Sequence, residues 1–144
     1  MKIYNEVLKF KKKYPLTLSF RLKKHCEVLE KHMNPDEEVI YAFTGQKNAQ
    51  SIAFPNTFVG VLTNKRLLFA RKRTLFGYFF YAITPDMFND LKVSAGIIWG
   101  KIIIDTMKEL VIISNIDKDA LDEVETAITQ YMMNEKRNYP KKDS

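Results

Sequence analysis

The sequence has little cysteine, glycine or proline, and these shortages narrow the class of protein. The single cysteine, Cys26, cannot form an intrachain disulfide, so we expect a reduced compartment. Five glycines and five prolines in 144 residues are too few for a loop-dominated chain. No apolar run approaches the ~20 residues of a membrane-spanning helix, and the first residues lack a signal-peptide core. We therefore expect a cytoplasmic protein.

The sequence also lacks the patterns that catalysis, cofactors and metals require. Its glycines have no phosphate-loop spacing, and neither a Gly-x-Ser-x-Gly elbow nor a zinc-type Cys/His pattern occurs. His25 and Cys26 are adjacent, so on a helix their side chains point ~100° apart. His25 and His32 would lie ~10 Å apart along the axis, too far for one metal ion. We predict no enzyme, no cofactor and no metal site.

What the sequence does contain favours one β-rich domain with a basic surface. Hydrophobic residues make up 46% and aromatic residues 12%, which suits a core with aromatic side chains on pleated strands. A chain of 144 residues is long enough to bury such a core in a single domain. The formal net charge of +6 makes anionic surfaces candidate partners but does not select among them.

The centre of the chain predicts a β-hairpin. Two apolar, β-rich runs, Thr57–Leu62 and Leu67–Arg71, are joined by four polar residues, Thr63–Arg66. Both faces of the first run are largely apolar, which is typical of a sheet that is covered on both sides or closed into a barrel. In the turn we expect Asn64 to adopt a positive φ and Thr63 to bond the local backbone.

This hairpin resembles a known family. A strand that ends in Leu-Thr-Asn-Lys-Arg (62–66) and continues at once with Leu-Leu-Phe resembles the bacterial pleckstrin-homology-like domains of the YokE type. An acidic pair followed by the apolar strand Val39–Thr44 and Gly45 resembles the opening of the same domains. We predict the further strands at Tyr78–Ile83, Leu91–Ala95, Ile97–Asp105 and Glu109–Ser114.

The resemblance implies a mainly β fold with flanking helices, covering roughly Pro35–Met133. The family's fold is a partly open barrel of about seven antiparallel strands with a C-terminal helix that caps one mouth. We expect that helix to begin at Asp117, which caps it, and to turn Asp122, Glu123 and Glu125 away from the barrel. Its apolar stripe consists of Leu121, Val124, Ile128, Tyr131 and Met132.

Two amphipathic helices precede the barrel. Residues 2–14 form the first, and the second, capped by Thr17 or Ser19, ends at about His32. Their apolar stripes are Ile3, Val7, Phe10 and Tyr14, and then Leu22, Cys26, Leu29 and Met33. We expect an N-terminal helical extension (1–34), the barrel domain (35–133) and a basic, flexible tail (134–144).

The resemblance also directs attention to basic residues near the first loop, which we expect at Gly45–Asn56. Relatives that hold phosphoinositides carry a Lys late in strand one and a basic-x-Arg pair early in strand two. This sequence has Lys47 but then Thr57–Val59, so that pattern is incomplete. The candidate residues for an anionic ligand are Lys47, Lys65, Arg66, Arg71, Lys72 and Arg73.

A second set of residues is a candidate for contact with a membrane or a partner: Lys9, Lys11, Lys12, Lys13, Leu75 and Phe76. The lysines flank the stripe of the first helix, and Leu75 and Phe76 form an apolar tip beside Arg71–Arg73. The simpler interpretation, which we favour, is that the helix packs on its own domain and the basic tip protects an edge strand. Trp99 is either an outer contact residue or packs under the N-terminal helices.

The function predicted from these features is a non-catalytic interaction module that binds a protein partner or forms a homo-oligomer. The alternative is peripheral binding to anionic membrane lipid through the basic segments. Nucleic acid is disfavoured, because it would require stacking aromatics interleaved with basic residues in one groove. Here the aromatics fall mostly in strands, where a core needs them.

Overall fold

The computed structural model describes residues 1–47 and 56–138 of the chain. Seven antiparallel strands form one sheet, in the order β4-β3-β2-β1-β7-β6-β5, that curls into a half-barrel. The predicted fold is thereby confirmed. The helices are α1 (Lys2–Lys13), α2 (Leu22–His32) and α3 (Leu121–Asn138), and 3₁₀ turns occur at Pro85–Met87 and Lys118–Ala120. The strands are β1 (Val39–Lys47), β2 (Thr57–Thr63), β3 (Leu67–Lys72), β4 (Tyr78–Ile83), β5 (Phe88–Ala95), β6 (Trp99–Thr106) and β7 (Leu110–Asp117).

The β2–β3 hairpin lies between two hydrophobic clusters, which explains its two apolar faces. Every residue of β2 is buried. On the inner face, Phe58, Leu62 and Phe69 join the core that α3 closes with Val124 and Ile128. On the outer face, α1 and α2 cover small and branched side chains of β1 to β3, namely Ala42, Val59, Val61, Leu68 and Ala70. Each cluster stabilises the sheet from its own side.

The stripe of α1 packs on the domain, as the simpler interpretation required. Ile3 and Val7 belong to the outer cluster, whereas Phe10 and Tyr14 reach the inner core. The Phe10 ring meets Tyr41 edge-on at a centroid distance of 6.4 Å. The apolar face of α1 is therefore already occupied, and this face is not available for insertion into a membrane.

The linker between α1 and α2 bridges the place where the sheet is weakest. Within residues 1–47 and 56–138, strands β1 and β7 pair through Gln46↔Ser114 and Lys47↔Ile113. Beyond that pairing the linker supplies the missing bonds: Leu18 donates to the Asn115 carbonyl at 2.9 Å, and the Thr17 hydroxyl accepts from the Asp117 amide at 2.9 Å. The linker thus joins the two halves of the sheet.

The prediction that Thr17 or Ser19 caps α2 was wrong. The Thr17 hydroxyl instead accepts a hydrogen bond from the Asp117 amide. The N-cap of α2 is Arg21, which has φ 55° and ψ 38° and makes no side-chain capping bond. A left-handed backbone is unusual for a residue with a side chain, and it costs roughly 1 kcal/mol. The cap position is set by long-range bonds that the local sequence does not reveal.

Several element boundaries differ from the sequence predictions. Strand β1 continues to Lys47, three residues past the predicted end, and residues 48–55 of the predicted loop lie outside the described residues. Helix α3 continues to Asn138, past the predicted start of the tail at residue 134, and residues 139–144 also lie outside the described part. Asp117 caps the 3₁₀ turn that precedes α3, by accepting a bond from the Asp119 amide.

Three side chains behave differently from their predictions. Asn64 keeps a negative φ and instead uses its amide oxygen to accept a bond from the Glu38 amide at 2.8 Å. Glu123 does not face away from the barrel, because it pairs with Lys13 and accepts a bond from the Tyr41 hydroxyl. Trp99 donates its indole N–H to the Leu16 carbonyl, so it supports the N-terminal linker.

Candidate functional site

One end of the half-barrel carries cations that lie over aromatic rings; we call it the barrel mouth. The Lys47 Nζ atom is 4.8 Å from the ring centroid of Tyr81 and 5.6 Å from that of Phe58. The Arg73 guanidinium carbon is 5.4 Å from the centroid of Phe79, whose ring is 6.5 Å from Phe58. Each such contact contributes about 0.5–1 kcal/mol at an exposed site. The mouth therefore holds positive charge above an apolar floor.

The turn between β3 and β4 forms the outer wall of this mouth. Gly77 has φ 75°, a conformation that costs glycine nothing, and its carbonyl accepts a bond from the Arg73 amide at 3.0 Å. Arg71, Arg73 and residues 74–76 line a cavity of about 390 Å³. Leu75 and Phe76, which we call the exposed tip, are each 82% exposed. Cationic and apolar groups are thus presented side by side.

The start of α2 is fixed against the end of β3. The Lys72 amide donates to His25 Nδ1 at 2.8 Å. Burial lowers the pKa of His25 to about 4, with a bond to the Phe20 backbone opposing this and the charges of Arg21 and Arg71 adding to it. His25 is therefore neutral at pH 7 and accepts the hydrogen bond from the Lys72 amide, so its role is structural.

Cys26 beside it is equally unsuited to reaction. Burial, with smaller contributions from Glu30 and Glu27, raises the pKa of the Cys26 thiol to about 12. The thiolate that would attack or ligate is thus absent at neutral pH. Within residues 1–47 and 56–138 no group of three His, Cys, Asp or Glu side chains could hold a metal ion.

The other end of β3 holds a buried ion pair. Arg66 donates to both carboxylate oxygens of Glu37, at 2.8 and 3.1 Å, and the Thr63 hydroxyl donates to the same carboxylate at 2.6 Å. The Glu37 side chain is fully buried. Burial alone would raise the pKa of Glu37, but these bonds and that from the Asn34 amide outweigh it, so the pKa lies below its ordinary value. Arg66 is a structural residue.

The structure therefore divides the predicted anion-binding residues into groups. Lys47, Arg71 and Arg73 meet at the barrel mouth. Arg66 and Lys65, which pairs with Asp36 at 3.4 Å, lie at the opposite end of β3, roughly 16 Å away at ~3.3 Å per residue. Lys72 lies on the face of β3 that carries Leu68 and Ala70, beneath α2.

The predicted lysines of α1 have local partners or remain on the surface. Lys9 pairs with Glu6 of its own helix at 3.1 Å, and Lys13 pairs with Glu123 of α3. Lys11 donates to the Pro15 and Thr17 carbonyls, and burial lowers its pKa although Asp117 opposes the change. Lys12 is exposed. Of these lysines, Lys11 and Lys13 hold the linker and α3 in place.

Sequence reasoning missed the rings of the mouth. Phe58 and Tyr81 were assigned only to the core, yet their rings also form the floor beneath Lys47. The alternation of β2 and β4 could have indicated this, because both residues occupy inward positions near a strand end. No pattern in the sequence indicates where Arg21 lies, because its neighbour Phe20 is held by a bond to the Thr57 hydroxyl, 37 residues away.

Comparisons with known proteins give a family and one structural likeness. A family model described as a bacterial PH domain matches residues 33–130. Among solved structures, a DUF1696 family protein with a pleckstrin-homology domain from Shewanella loihica PV-4 is similar at 17% sequence identity and a TM-score of 0.48. That match covers 77% of this chain and 89% of the other chain. The comparison with curated proteins found no match.

Proposed function

This chain belongs to the bacterial PH domain family, and from that premise we propose that it is a non-catalytic module that binds a protein partner or a second copy of itself. PH-like domains generally mediate interactions with proteins or lipids, and the family is generally non-catalytic. The observation that carries the proposal is the exposed tip, Leu75 and Phe76, which continues into the edge strand β4.

Among the described strands, β4 is an edge of the sheet and pairs on one side only, with β3. Its sequence, Tyr78–Ile83, contains no charged residue and no proline. Edge strands usually carry such residues, because they discourage pairing with other chains. Tyr78 and Phe79 are 51% and 47% exposed. Together with the exposed tip they offer a continuous apolar edge, of the kind that marks an interaction surface.

The test is a double substitution, Leu75→Ser with Phe76→Ser, in the full chain. Both side chains are exposed, so the free energy of unfolding should change by less than about 0.5 kcal/mol while association is lost. Light-scattering mass over a range of concentrations measures self-association against the 16.9 kDa of the monomer. A photo-crosslinker at position 76, compared with one at Ile97, reports a protein partner in cells.

Ile97 is the matched control because it is 89% exposed but lies in the turn between β5 and β6. A monomeric mass at every concentration, combined with identical crosslinked products from positions 76 and 97, would contradict the proposal. A mass that falls to the monomer value in the double variant, or a product specific to position 76, would support it.

A second candidate function is peripheral binding to an anionic membrane, and the neighbourhood of the exposed tip favours it. Arg71 and Arg73 line the same cavity as Leu75 and Phe76, and Arg or Lys near anionic lipid contributes about 1 kcal/mol each. Vesicle pelleting and its dependence on salt distinguish the two candidates. Membrane binding predicts pelleting with anionic vesicles that salt weakens and that the double substitution removes, whereas apolar protein association should resist salt.

A further inference from the structure

We propose that a cavity on the outer face of the sheet, at strands β5, β6 and β7, binds a small organic acid with one carboxylate and an apolar body. The cavity has a volume of about 330 Å³, and its lining includes Ser94, Trp99, Lys101, Ser114 and Asn115. Neither the exposed tip nor strand β4 contributes to this lining. The proposal is therefore independent of the docking function proposed above.

A row of polar side chains crosses the sheet at this cavity. Ser94 of β5 lies opposite Lys101 of β6, and Ser114 of β7 lies opposite Gln46 of β1. Residues directly opposite each other on neighbouring strands point to the same face of a sheet. For Lys101 that face is the outer one, because the next residue, Ile102, belongs to the inner core. The row thus combines side chains from four strands.

A β-bulge interrupts β7 in the middle of this row. The register of β6 and β7 shifts at Lys101, so that Ser114 and Asn115 both lie opposite it. Asn115 has φ 56°, a left-handed backbone that asparagine tolerates better than most residues with a side chain. Bulges re-aim side chains and are frequent beside functional sites. Here the bulge places Asn115 in the wall of the cavity.

Among the residues that the structure describes, the row has a buried donor without an acceptor and a cation without a counter-charge. Gln46 is fully buried, and its Oε1 atom accepts from the Asn115 Nδ2 atom at 2.6 Å, whereas its Nε2 atom has no partner. Lys101 is exposed and belongs to none of the ion pairs of the described residues. This surplus of donors favours a ligand group that only accepts, and an ionised carboxylate is such a group.

The indole ring of Trp99 supplies the apolar wall of the cavity. Its Nε1 atom donates to the Leu16 carbonyl at 2.6 Å, which fixes the ring against the linker. Trp99 and Lys101 are two residues apart on β6, so their side chains lie about 7 Å apart on one face. The apolar body of the ligand packs on the indole while its carboxylate meets the Lys101 ammonium. The single cation matches the single charge of a carboxylate.

The test uses the fluorescence of Trp99, which is the only tryptophan of the chain and so reports on the cavity without a label. 3-Phenylpropionate is titrated into the full chain, and 3-phenylpropionamide, which has the same size but no charge, is titrated in parallel. We expect a saturable change in emission with the acid at millimolar concentrations. The amide should bind at least about tenfold more weakly, because it cannot form the charge-assisted bond.

Lys101→Met removes the ammonium and keeps an unbranched apolar side chain. Because Lys101 is exposed, the thermal midpoint should stay unchanged, while 3-phenylpropionate should bind at least about tenfold more weakly. Lys92→Met is the matched control, since Lys92 is an exposed cation of β5 that lies opposite Ile103 on the same face. It loses the same net charge and should bind as the wild type does.

Three results would each overturn the proposal. The first is the absence of a saturable change in the wild type, and the second is equal binding of the acid and the amide. The third is that Lys101→Met binds 3-phenylpropionate as Lys92→Met does, because the acid would then respond to net charge or to the apolar wall and not to the ammonium of Lys101.

Discussion

The two ends of strand β3 carry arginines in very different states. At the start of the strand, Arg66 is enclosed with the fully buried Glu37 and also donates to the His32 carbonyl at 3.0 Å. At the end of the strand, burial lowers the pKa of Arg71, and the charges of Arg21 and Arg73 lower it further. One end is neutralised by the fold itself. At the other end, no ion pair among the described residues joins a carboxylate to Arg21 or Arg73.

This difference shows that the local sequence around a basic residue in a turn does not determine its structural role. Lys65, Arg66, Arg71 and Arg73 look alike in the sequence, since all flank the same apolar strand. Only the position of acidic partners far along the chain separates them. Glu37 lies 29 residues before Arg66, and its carboxylate is held by Thr63 and the Asn34 amide as well.

The largest effect should follow from breaking the buried pair. Glu37→Gln leaves Arg66 half-buried without its counter-charge, and we expect the free energy of unfolding to fall by about 3 kcal/mol. Urea unfolding measures this loss in the free energy of unfolding. Asp36→Asn is the control, because it removes only the exposed partner of Lys65 and should cost less than about 1 kcal/mol. Equal losses in the two variants would show that Arg66 is not held as the structure indicates.

A change of pH should destabilise the two ends of β3 in different windows. The folded chain protonates His25 only near pH 4, whereas the unfolded chain protonates it near 6.5, so acid favours the unfolded state. We expect the free energy of unfolding to fall by about 3 kcal/mol between pH 6.5 and 4 from this group. Glu37 acts in the same sense but at lower pH: its lowered pKa stabilises the fold above pH 4.5, and that contribution is lost below it.

Denaturant midpoints measured from pH 7 to 3 test this separation. His25→Asn keeps an acceptor for the Lys72 amide but cannot take up the proton, so the loss between pH 6.5 and 4 should disappear while the loss below pH 4.5 remains. If the pH dependence of the midpoint is the same in this variant as in the wild type, the loss between pH 6.5 and 4 comes from groups other than His25.

The smallest change in the free energy of unfolding should come from a substitution of Arg73, at the end of β3. Arg73→Gln loses one cation–aromatic contact with Phe79 but also removes a like charge beside Arg71, so the two changes oppose each other. We expect the free energy of unfolding to change by less than about 1 kcal/mol. Arg66→Gln, measured in the same urea series, should lose several times more. Similar losses in both variants would remove the contrast between the two ends.

Local patterns in the sequence were enough to predict most of the fold. The polar turn 63–66 between apolar runs predicted the β2–β3 hairpin, and the aromatic run predicted β4 with its observed bounds, Tyr78–Ile83. The stripes of α1 and α2 predicted which faces pack. These predictions succeeded because a periodic pattern of hydrophobic residues, read over a short stretch of chain, indicates which side chains are buried.

The candidate site could be predicted only in part, because it is assembled from distant segments. Arg71 and Arg73 were visible as a basic run, and Leu75 and Phe76 as an apolar tip. Arg21 was not visible, since its position depends on bonds from Phe20 to Thr57 and from Lys72 to His25. Thr17 was misjudged for the same reason, because its partner, Asp117, lies 100 residues away.

The linker between α1 and α2 has a consequence for the order in which the molecule is built. During synthesis Thr17 leaves the ribosome long before Asp117, and at ~5–20 residues per second that interval is roughly 5–20 s. The seam between β1 and β7 cannot be joined until the last strand has been made. The linker is therefore fixed in place only after β7 has been made, and until then the nascent chain must keep the seam open without aggregating.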